Sequence, residues 1–444
     1  RKVLYFNKFE GKVLKELLAN KKFGDLNAPN RLKCSVCGKT YQILDKRIFC
    51  DCGGFLEIEI KTHASQPSWE TFRKRKFGVW RYRELIPVPQ DAEIVTMCEG
   101  GTPLVKAPKL SKLANVNDLY VKFEGANPTG SFKDRGMTIA ITIAKYLGIK
   151  AVACASTGNT SSSMSAYARR AGIEPIIVLP EKGIAKGKMS QSALYGATTI
   201  IIKGNFDDAL RVILEAQRQG IIYPVNSVNP WRLEGQKTVG FEIIDELGIP
   251  DWIALPVGNA GNITALWKGL LELKRFQLID KLPKLLGVQA KGAAPIVKMF
   301  EDGLNDLPDI SNPKTIASAI KIGRPVNWRR AVRAIKGSGG HILAVTDDEI
   351  LNAQRLIARL EGLGVEPASA SSIAGIMKAR DEGIIDNNEC IVAIATGHVL
   401  KDPDISSSHP HSKLIARDSD HALSLLTKII AKRSPSSYVG DRNG

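Results

Sequence analysis

No apolar run in the 444 residues approaches the roughly 18 needed to cross a bilayer. The opening stretch RKVLYFNKFEGKVLKELLANKKFGDL interleaves charges too densely to form a signal-peptide core. Internal repeats and low-complexity tracts are also missing, which excludes solenoid and fibrous architectures. Nor is there a helix-turn-helix or an RNP-like aromatic signature, although a net charge of +17 invites a nucleic-acid reading. Residues 1–90 carry 19 Lys and Arg against 9 Asp and Glu, so much of that excess lies at the front, most densely in FRKRKFGVWRYR. Without a recognition motif it reads as a solvated face, or as a surface that attracts anionic small molecules. The expectation is a cytoplasmic protein with neither a membrane nor a nucleic acid as partner.

Hydrophobic residues make up 44% and charged residues 24%, an ordinary globular balance with room for two or three domains. Residues 1–62 form a basic, cysteine-bearing module, 63–98 a connector containing Pro and Trp, and 406–444 a tail whose end, AKRSPSSYVGDRNG, reads as frayed. Between them, 99–405 is regular. AVACA, PIIVLP, TTIIIK, WIALPV, LLGVQA, ILAVT and CIVAIAT are continuous apolar strands, as expected when both faces of a parallel sheet are covered. Helical patterns separate them, including 207–220 and 347–364, each closed by Gly. The spacing predicts an α/β fold of two open parallel-sheet domains, the smaller lobe spanning roughly 135–245. Ligands of such sheets sit where strand ends meet helix N-termini.

Four segments occupy those places. In NPTGSFKDRG (127–136), Ser131 and Asp134 have the spacing of a capping box, placing Lys133 in the first turn of an apolar, buried helix. There its pKa falls and it becomes a nucleophile fit for a Schiff base; the alternative is a lysine reaching out to solvent. STGNTSSS (156–163) offers Asn159 and backbone amides to an anion or a phenolic oxygen, or else is an ordinary capped loop. PVGNAGN (256–262) is neither a Walker loop nor a dinucleotide fingerprint, but Gly258 and Gly261 permit successive amides to cradle a phosphate. Thr396 of ATGH ends a strand, as a ligand or as a plain strand-end hydroxyl. One amine, one phosphate cradle, one amide and one hydroxyl match the needs of pyridoxal phosphate.

From about residue 95 to 405 the chain resembles the pyridoxal-phosphate-dependent threonine synthases of the tryptophan-synthase-β (fold type II) superfamily. The likeness is carried by EGGTPL, KFEGANPTGSFKDRGM, STGNTSSSMSAYARRAG, NSVNPWRLEGQKT, PVGNAGNITALWKG, VEPASASSIAG and ATGHVLKDP. It departs at Val399, where the family commonly has Gly. The resemblance implies that Lys133 joins the cofactor covalently and that Asn159 faces its 3-hydroxyl. Gly258, Asn259, Ala260, Gly261 and Asn262 hold its phosphate, and Thr396 meets the ring nitrogen. The implied reaction converts O-phospho-L-homoserine and water to L-threonine and phosphate. Ser227, Arg232 and Lys237 would capture substrate phosphate, Ser156 and Thr157 would donate to phosphate or carboxylate, and the chain would be a homodimer. Rival readings are another fold type II enzyme, either a threonine or serine dehydratase or a phosphoserine-dependent synthase, and a zinc-ribbon regulatory protein with a degenerate catalytic domain.

Four of seven cysteines, Cys34, Cys37, Cys50 and Cys52, have the spacing C-x2-C-x12-C-x-C, similar to a zinc ribbon with one tightened knuckle. Thiolate coordination of zinc would staple a module too small for its own core; a metal-free relic is the alternative. Cys98, Cys154 and Cys390 have no spacing partners and read as small buried hydrophobes.

Overall fold

The alternation of strands and helices expected from residue 99 onward forms two sheets in the computed structural model, which describes residues 30–60, 67–181, 186–203, 206–407, 409 and 413–431. The readings of residues 1–29, of the HASQ stretch and of the terminal tail after Ala431 lie outside the described residues.

Near the front, β1 (Arg31–Cys34), β2 (Thr40–Gln42) and β3 (Leu56–Glu59) form an antiparallel sheet in the order β2–β1–β3. Strands β4 (Leu104–Lys106) and β5 (Asp118–Phe123) follow, and then helix α1 (Lys133–Tyr146). The smaller sheet comes next: β6 (Ala151–Cys154), α2 (Asn159–Ala171), β7 (Glu174–Pro180), α3 (Lys186–Leu194), β8 (Thr198–Ile202), α4 (Phe206–Arg218) and β9 (Tyr223–Pro224). Its four strands are parallel, in the order β8–β7–β6–β9. Helices α5 (Pro230–Gln236) and α6 (Thr238–Leu247) lead back to β10 (Trp252–Pro256), α7 (Gly261–Arg275) and β11 (Lys284–Ala290). After α8 (Trp328–Gly337) come β12 (His341–Val345), α9 (Asp347–Glu361), α10 (Pro367–Asp381) and β13 (Cys390–Ala395). The larger sheet has the order β12–β11–β10–β13–β5–β4, parallel except for the edge strand β4.

All seven apolar runs read as strands are strands; β10 is buried at every position, as two covered faces require, but the edge strand β8 is exposed at Thr198 to Ile201, so its apolar run does not reflect burial. Strand β5 escaped that reading because DLYVKF alternates apolar with polar residues. Its Lys122 lies inside the protein, 3.0 Å from Glu242 and 2.7 Å from Glu246, so a charged residue occupies an interior strand. Arg135 of α1 joins the same network, bonding Glu124 and Glu242 at 2.6 Å each. Burial alone would raise the Glu242 carboxyl, but Arg135 and Lys122 hold it down to about 2.

Helix α1 is buried from Asp134 to Ala144, as its apolar circumference requires. It packs against α5 at backbone distance. A Cβ at Gly235 would sit 1.7 Å from the Arg135 carbonyl oxygen, and one at Gly136 would sit 2.9 Å from that of Arg232. This contact holds the helix carrying Lys133 against the helix carrying Arg232.

Residues up to Ser406 form one compact unit, and those from Ser407 a second. The second contains helix α11 (Ser419–Ala431) within the segment read as a tail; its Leu423, Leu426 and Ile430 are exposed. Among the described residues no helix is long and apolar enough to cross a membrane.

Candidate active site

The loop before α1 is laced to the end of β13. Phe132 N–H donates to the Thr396 carbonyl at 3.0 Å, His398 N–H to that of Gly130 at 2.9 Å, and Ser131 bridges Gly397. Lys133 is thereby fixed at the carboxyl edge of the larger sheet. The capping box expected from Ser131 and Asp134 does not form. Asp134 instead turns back to accept from Thr129 N–H (2.7 Å), Thr129 Oγ1 (2.6 Å) and Ser163 Oγ (2.6 Å), while Ser131 Oγ is buried without a partner among the described residues. Satisfying a buried carboxylate with three donors outweighs capping a helix whose first amide bonds are already made locally. Burial still pushes Asp134 up to about 6.

Lys133 Nζ lies 4.1 Å from the centroid of the Phe132 ring. Burial, reinforced by the Arg232 cation and opposed by Glu366, pushes its ammonium down to about 7. Arg232 is 1% exposed, donates from Nη1 to the Val225 carbonyl at 3.1 Å, and leaves Nε without a partner among the described residues. It pairs with no carboxylate among the described residues, and burial lowers its guanidinium to about 10.

Asn159, first residue of α2, donates from Nδ2 to both Glu366 oxygens at 3.2 and 3.0 Å. Thr396 Oγ1 lies 2.9 Å from Ser369 Oγ and donates to Glu366 at 3.3 Å. Burial raises the Glu366 carboxyl, against the lowering influence of Asn159 and Lys401. Glu366 was not singled out from the sequence. Its signal was an acid directly before Pro367, at the start of a helix that opens on the small residues ASASS.

The turn after β10 is open in the way a phosphate requires. None of the backbone amides from Gly258 to Asn262 donates a hydrogen bond among the described residues. Ala260 adopts φ +60°, a left-handed conformation uncommon for a residue with a Cβ and of the kind found in backbone anion nests. Both polar side-chain atoms of Asn262 are buried without partners among the described residues. Asn259 donates to Ser227 Oγ at 2.8 Å, and Asn327 donates to the Asn259 carbonyl at 3.2 Å. Orphaned donors, a free amine and a carboxylate-free guanidinium fit a phosphorylated aldehyde cofactor such as pyridoxal phosphate.

The structure thus gathers Lys133, Asn159 and Thr396 around Glu366, and Ser227 beside Gly258–Asn262. Ser156 and Thr157 are half-buried just before α2, with Ser156 Oγ accepting from Gly158 N–H at 3.3 Å. Lys237 is not brought to this group. Its ammonium is buried against Glu234 (2.5 Å) and Glu272 (2.6 Å), so its expected place in phosphate capture is corrected to an interior ion pair. Val399 has no positive φ and rests on Gly364, so its backbone accommodates a side chain there.

In the front module, Cys34 and Cys52 Sγ lie 3.5 Å apart, Cys37 and Cys50 3.5 Å, and Cys37 and Cys52 3.4 Å. These separations far exceed a disulfide's roughly 2.05 Å and approach the edge, about 3.8 Å, of a thiolate tetrahedron around zinc. The Val36 and Cys37 amides donate to Cys34 Sγ, and Gly38 and Gly53 turn both knuckles at positive φ. The hydroxyl of Tyr41, 3.0 Å from Cys50 Sγ, lowers that thiol to about 6, toward the thiolate that binds metal. The donor set fits a structural zinc ion. Of the remaining cysteines, Cys154 is buried as expected and Cys390 partly so, but Cys98 is exposed, on a turn at φ +66°.

Residues 95–397 match the family described as pyridoxal-phosphate dependent enzyme. The threonine synthase of Methanocaldococcus jannaschii is 54% identical over 379 residues, covering 84% of this chain and 93% of that protein. That of Methanosarcina acetivorans is 49% identical over 375 residues, 84% and 92% of the two chains. That of Mycobacterium tuberculosis is 53% identical over 328 residues, 73% and 88%. Among solved structures, threonine deaminase isoform 2 from Solanum lycopersicum superposes with a TM-score of 0.58 at 25% identity, covering 69% of this chain and 87% of that one. Maize serine racemase, at 18% identity and a TM-score of 0.57 over 83% and 99% of the chains, shares the fold.

Proposed function

The chain belongs to the pyridoxal-phosphate dependent enzymes and, among them, to the threonine synthases, and from that footing we propose which residues convert O-phospho-L-homoserine and water to L-threonine and phosphate. When bound, pyridoxal phosphate supplies an electrophilic carbonyl and an electron-withdrawing ring that acidify the substrate's Cα and Cβ hydrogens. Lys133 would hold the cofactor. Burial and Arg232 bring its free amine down to about 7, so near neutral pH it is able to take the proton at the substrate's Cα and to move protons at Cβ. The amides from Gly258 to Asn262, with the Asn262 side chain, would hold the cofactor phosphate at a helix N-terminus. Asn159 would serve the phenolic oxygen, and Thr396, backed by Ser369, would offer a neutral hydroxyl to the ring nitrogen. Glu366 orients both Asn159 and Thr396 from between them.

Arg232 and Ser227 hold the substrate phosphate that leaves from Cγ, and Ser156 and Thr157 bind its carboxylate, after which water adds at Cβ. The single observation carrying this reading is the buried guanidinium of Arg232, without a carboxylate and close enough to depress Lys133. A dehydratase of unphosphorylated hydroxyamino acids has no need of such a cation, and a degenerate domain has no need of the orphaned donors around it. We further assign the enzyme to the cytoplasm as a homodimer without nucleic-acid partners, with roughly residues 135–245 as its smaller lobe; the likeness to the threonine synthases supports the homodimer, and the four-stranded sheet from β6 to β9 supports the lobe.

Phosphate release from O-phospho-L-homoserine tests the reading, paired with borohydride reduction and peptide mapping. The label falls on Lys133, and a Ser227→Ala/Arg232→Ala variant releases phosphate far more slowly. Equal rates, or a label elsewhere, refute it.

A further inference from the structure

The four-cysteine module reaches the phosphate cradle through a short chain of polar contacts. Strand β3 pairs with β1 so that Cys34 faces Leu56 and Lys33 faces Glu57. Leu32, Cys34, Cys50, Leu56 and Ile58 share one apolar core with Trp231 of α5. Metal–thiolate bonds at Cys34, Cys37, Cys50 and Cys52 would therefore fix the position of β3 as well as the knuckles.

From β3, Glu57 Oε1 forms an ion pair with Arg330 Nε at 2.6 Å, a charge contact without hydrogen-bond alignment, and the Phe55 ring lies 5.3 Å from the same guanidinium. Arg330, near the start of α8, is 6% exposed. Its Nη1 donates to Asn327 Oδ1 at 3.1 Å, which fixes the orientation of that amide. Asn327 Nδ2 then donates to the Asn259 carbonyl at 3.2 Å and to that of Ser227 at 3.4 Å. The adjacent Val326 N–H donates to Asn259 Oδ1 at 2.8 Å. Asn259 belongs to the turn from Gly258 to Asn262, and Ser227 bonds its side chain.

We propose that Arg330 is a positioning residue through which the metal-bound cysteine module sets the geometry of the cofactor-phosphate cradle, by way of Glu57, Asn327 and Asn259. The proposal rests on the reading of residues 258–262 as that cradle. Loss of the metal frees β3, Glu57 no longer holds the guanidinium, and the Asn327 amide loses its fixed orientation toward Asn259. Cofactor affinity then depends on the metal although no metal ligand touches the cofactor, much as outer partners tune a metal site itself.

The test titrates the full-length protein, freed of cofactor, with pyridoxal phosphate and separately with pyridoxal, following the absorbance of the bound chromophore. Parent, Glu57→Ala, Arg330→Ala and chelator-stripped parent are compared, with zinc content measured in each. Expected are losses of about tenfold in pyridoxal phosphate affinity for both variants and for the stripped parent, with pyridoxal affinity held within about twofold. Stripping the metal from Arg330→Ala adds no further loss, because both steps break one chain. Unchanged affinity in the variants, an equal loss for pyridoxal, or additive losses overturn the proposal. If the cradle itself is misread, the parent binds pyridoxal as tightly as pyridoxal phosphate, a result distinct from all of these.

Discussion

Replacing Gly235 by alanine separates two helices that the proposed chemistry needs together. The new Cβ would lie 1.7 Å from the Arg135 carbonyl oxygen, so α1 and α5 must part by roughly 1.3 Å before that contact reaches even 3.0 Å. The obstructing atom belongs to the backbone of a helix buried along its length, so no side-chain rotation relieves it. Overpacking of this kind costs about 1–3 kcal/mol of stability. The functional loss is larger in proportion. Arg232 is on α5 and Lys133 on α1, and a misplacement of about 1 Å between reacting groups typically costs on the order of 100-fold in rate. The variant should take up cofactor on Lys133, since α1 and its anchors to β13 are untouched, yet show kcat/KM for phosphate release about 100-fold below the parent. Initial rates of phosphate release, the spectrum of the reduced cofactor and the urea midpoint measure the three effects. Parental kcat/KM together with a parental midpoint would refute the claim that this contact sets the distance between amine and guanidinium.

Three further outcomes follow from the site's electrostatics. In cofactor-free protein, acylation of Lys133, read by peptide mass spectrometry, should rise with pH around a midpoint near 7, because burial and Arg232 depress the ammonium; a midpoint above 9 contradicts this. Arg232→Leu removes the neighbouring cation, so that midpoint should move upward, while KM for the phosphorylated substrate rises on the order of 100-fold; a downward shift or an unchanged KM contradicts the assignment. Arg135→Met strands the buried carboxylates of Glu124 and Glu242 and should lower stability in urea by about 3–5 kcal/mol. In the parent, Glu242's contribution is fully present above its unfolded pKa and is lost progressively as pH falls from there toward about 2, so Glu242→Gln should flatten the acid limb of the stability curve; an acid limb unchanged by that substitution would count against the network.

Much of the candidate site was legible in the sequence because its residues occupy turns that local chemistry marks. Small residues precede α2, glycines flank the turn after β10, and a lysine opens an apolar helix. The cysteines announced their cluster by spacing alone. What failed were inferences about partners. Ser131 and Asp134 have capping-box spacing, yet Thr129 and Ser163 claim the carboxylate, whereas Thr346 and Glu349 have the same spacing and do form the box at the start of α9. Lys237 sits beside the phosphate-binding segment in sequence but meets Glu272 from α7 across the core.

The sequence by itself determined the parallel α/β plan, the four strand-end segments and the tetrathiolate set, since hydrophobic period, turn residues and ligand spacing are properties of short windows. Tertiary structure alone decided which charges are paired. Glu366 came to lie between Asn159 and Thr396, β5 entered the larger sheet carrying a buried lysine, and Arg232 was left without a carboxylate beside Lys133. Burial energies depend on every element packed around a group, and no window of sequence contains its distant neighbours.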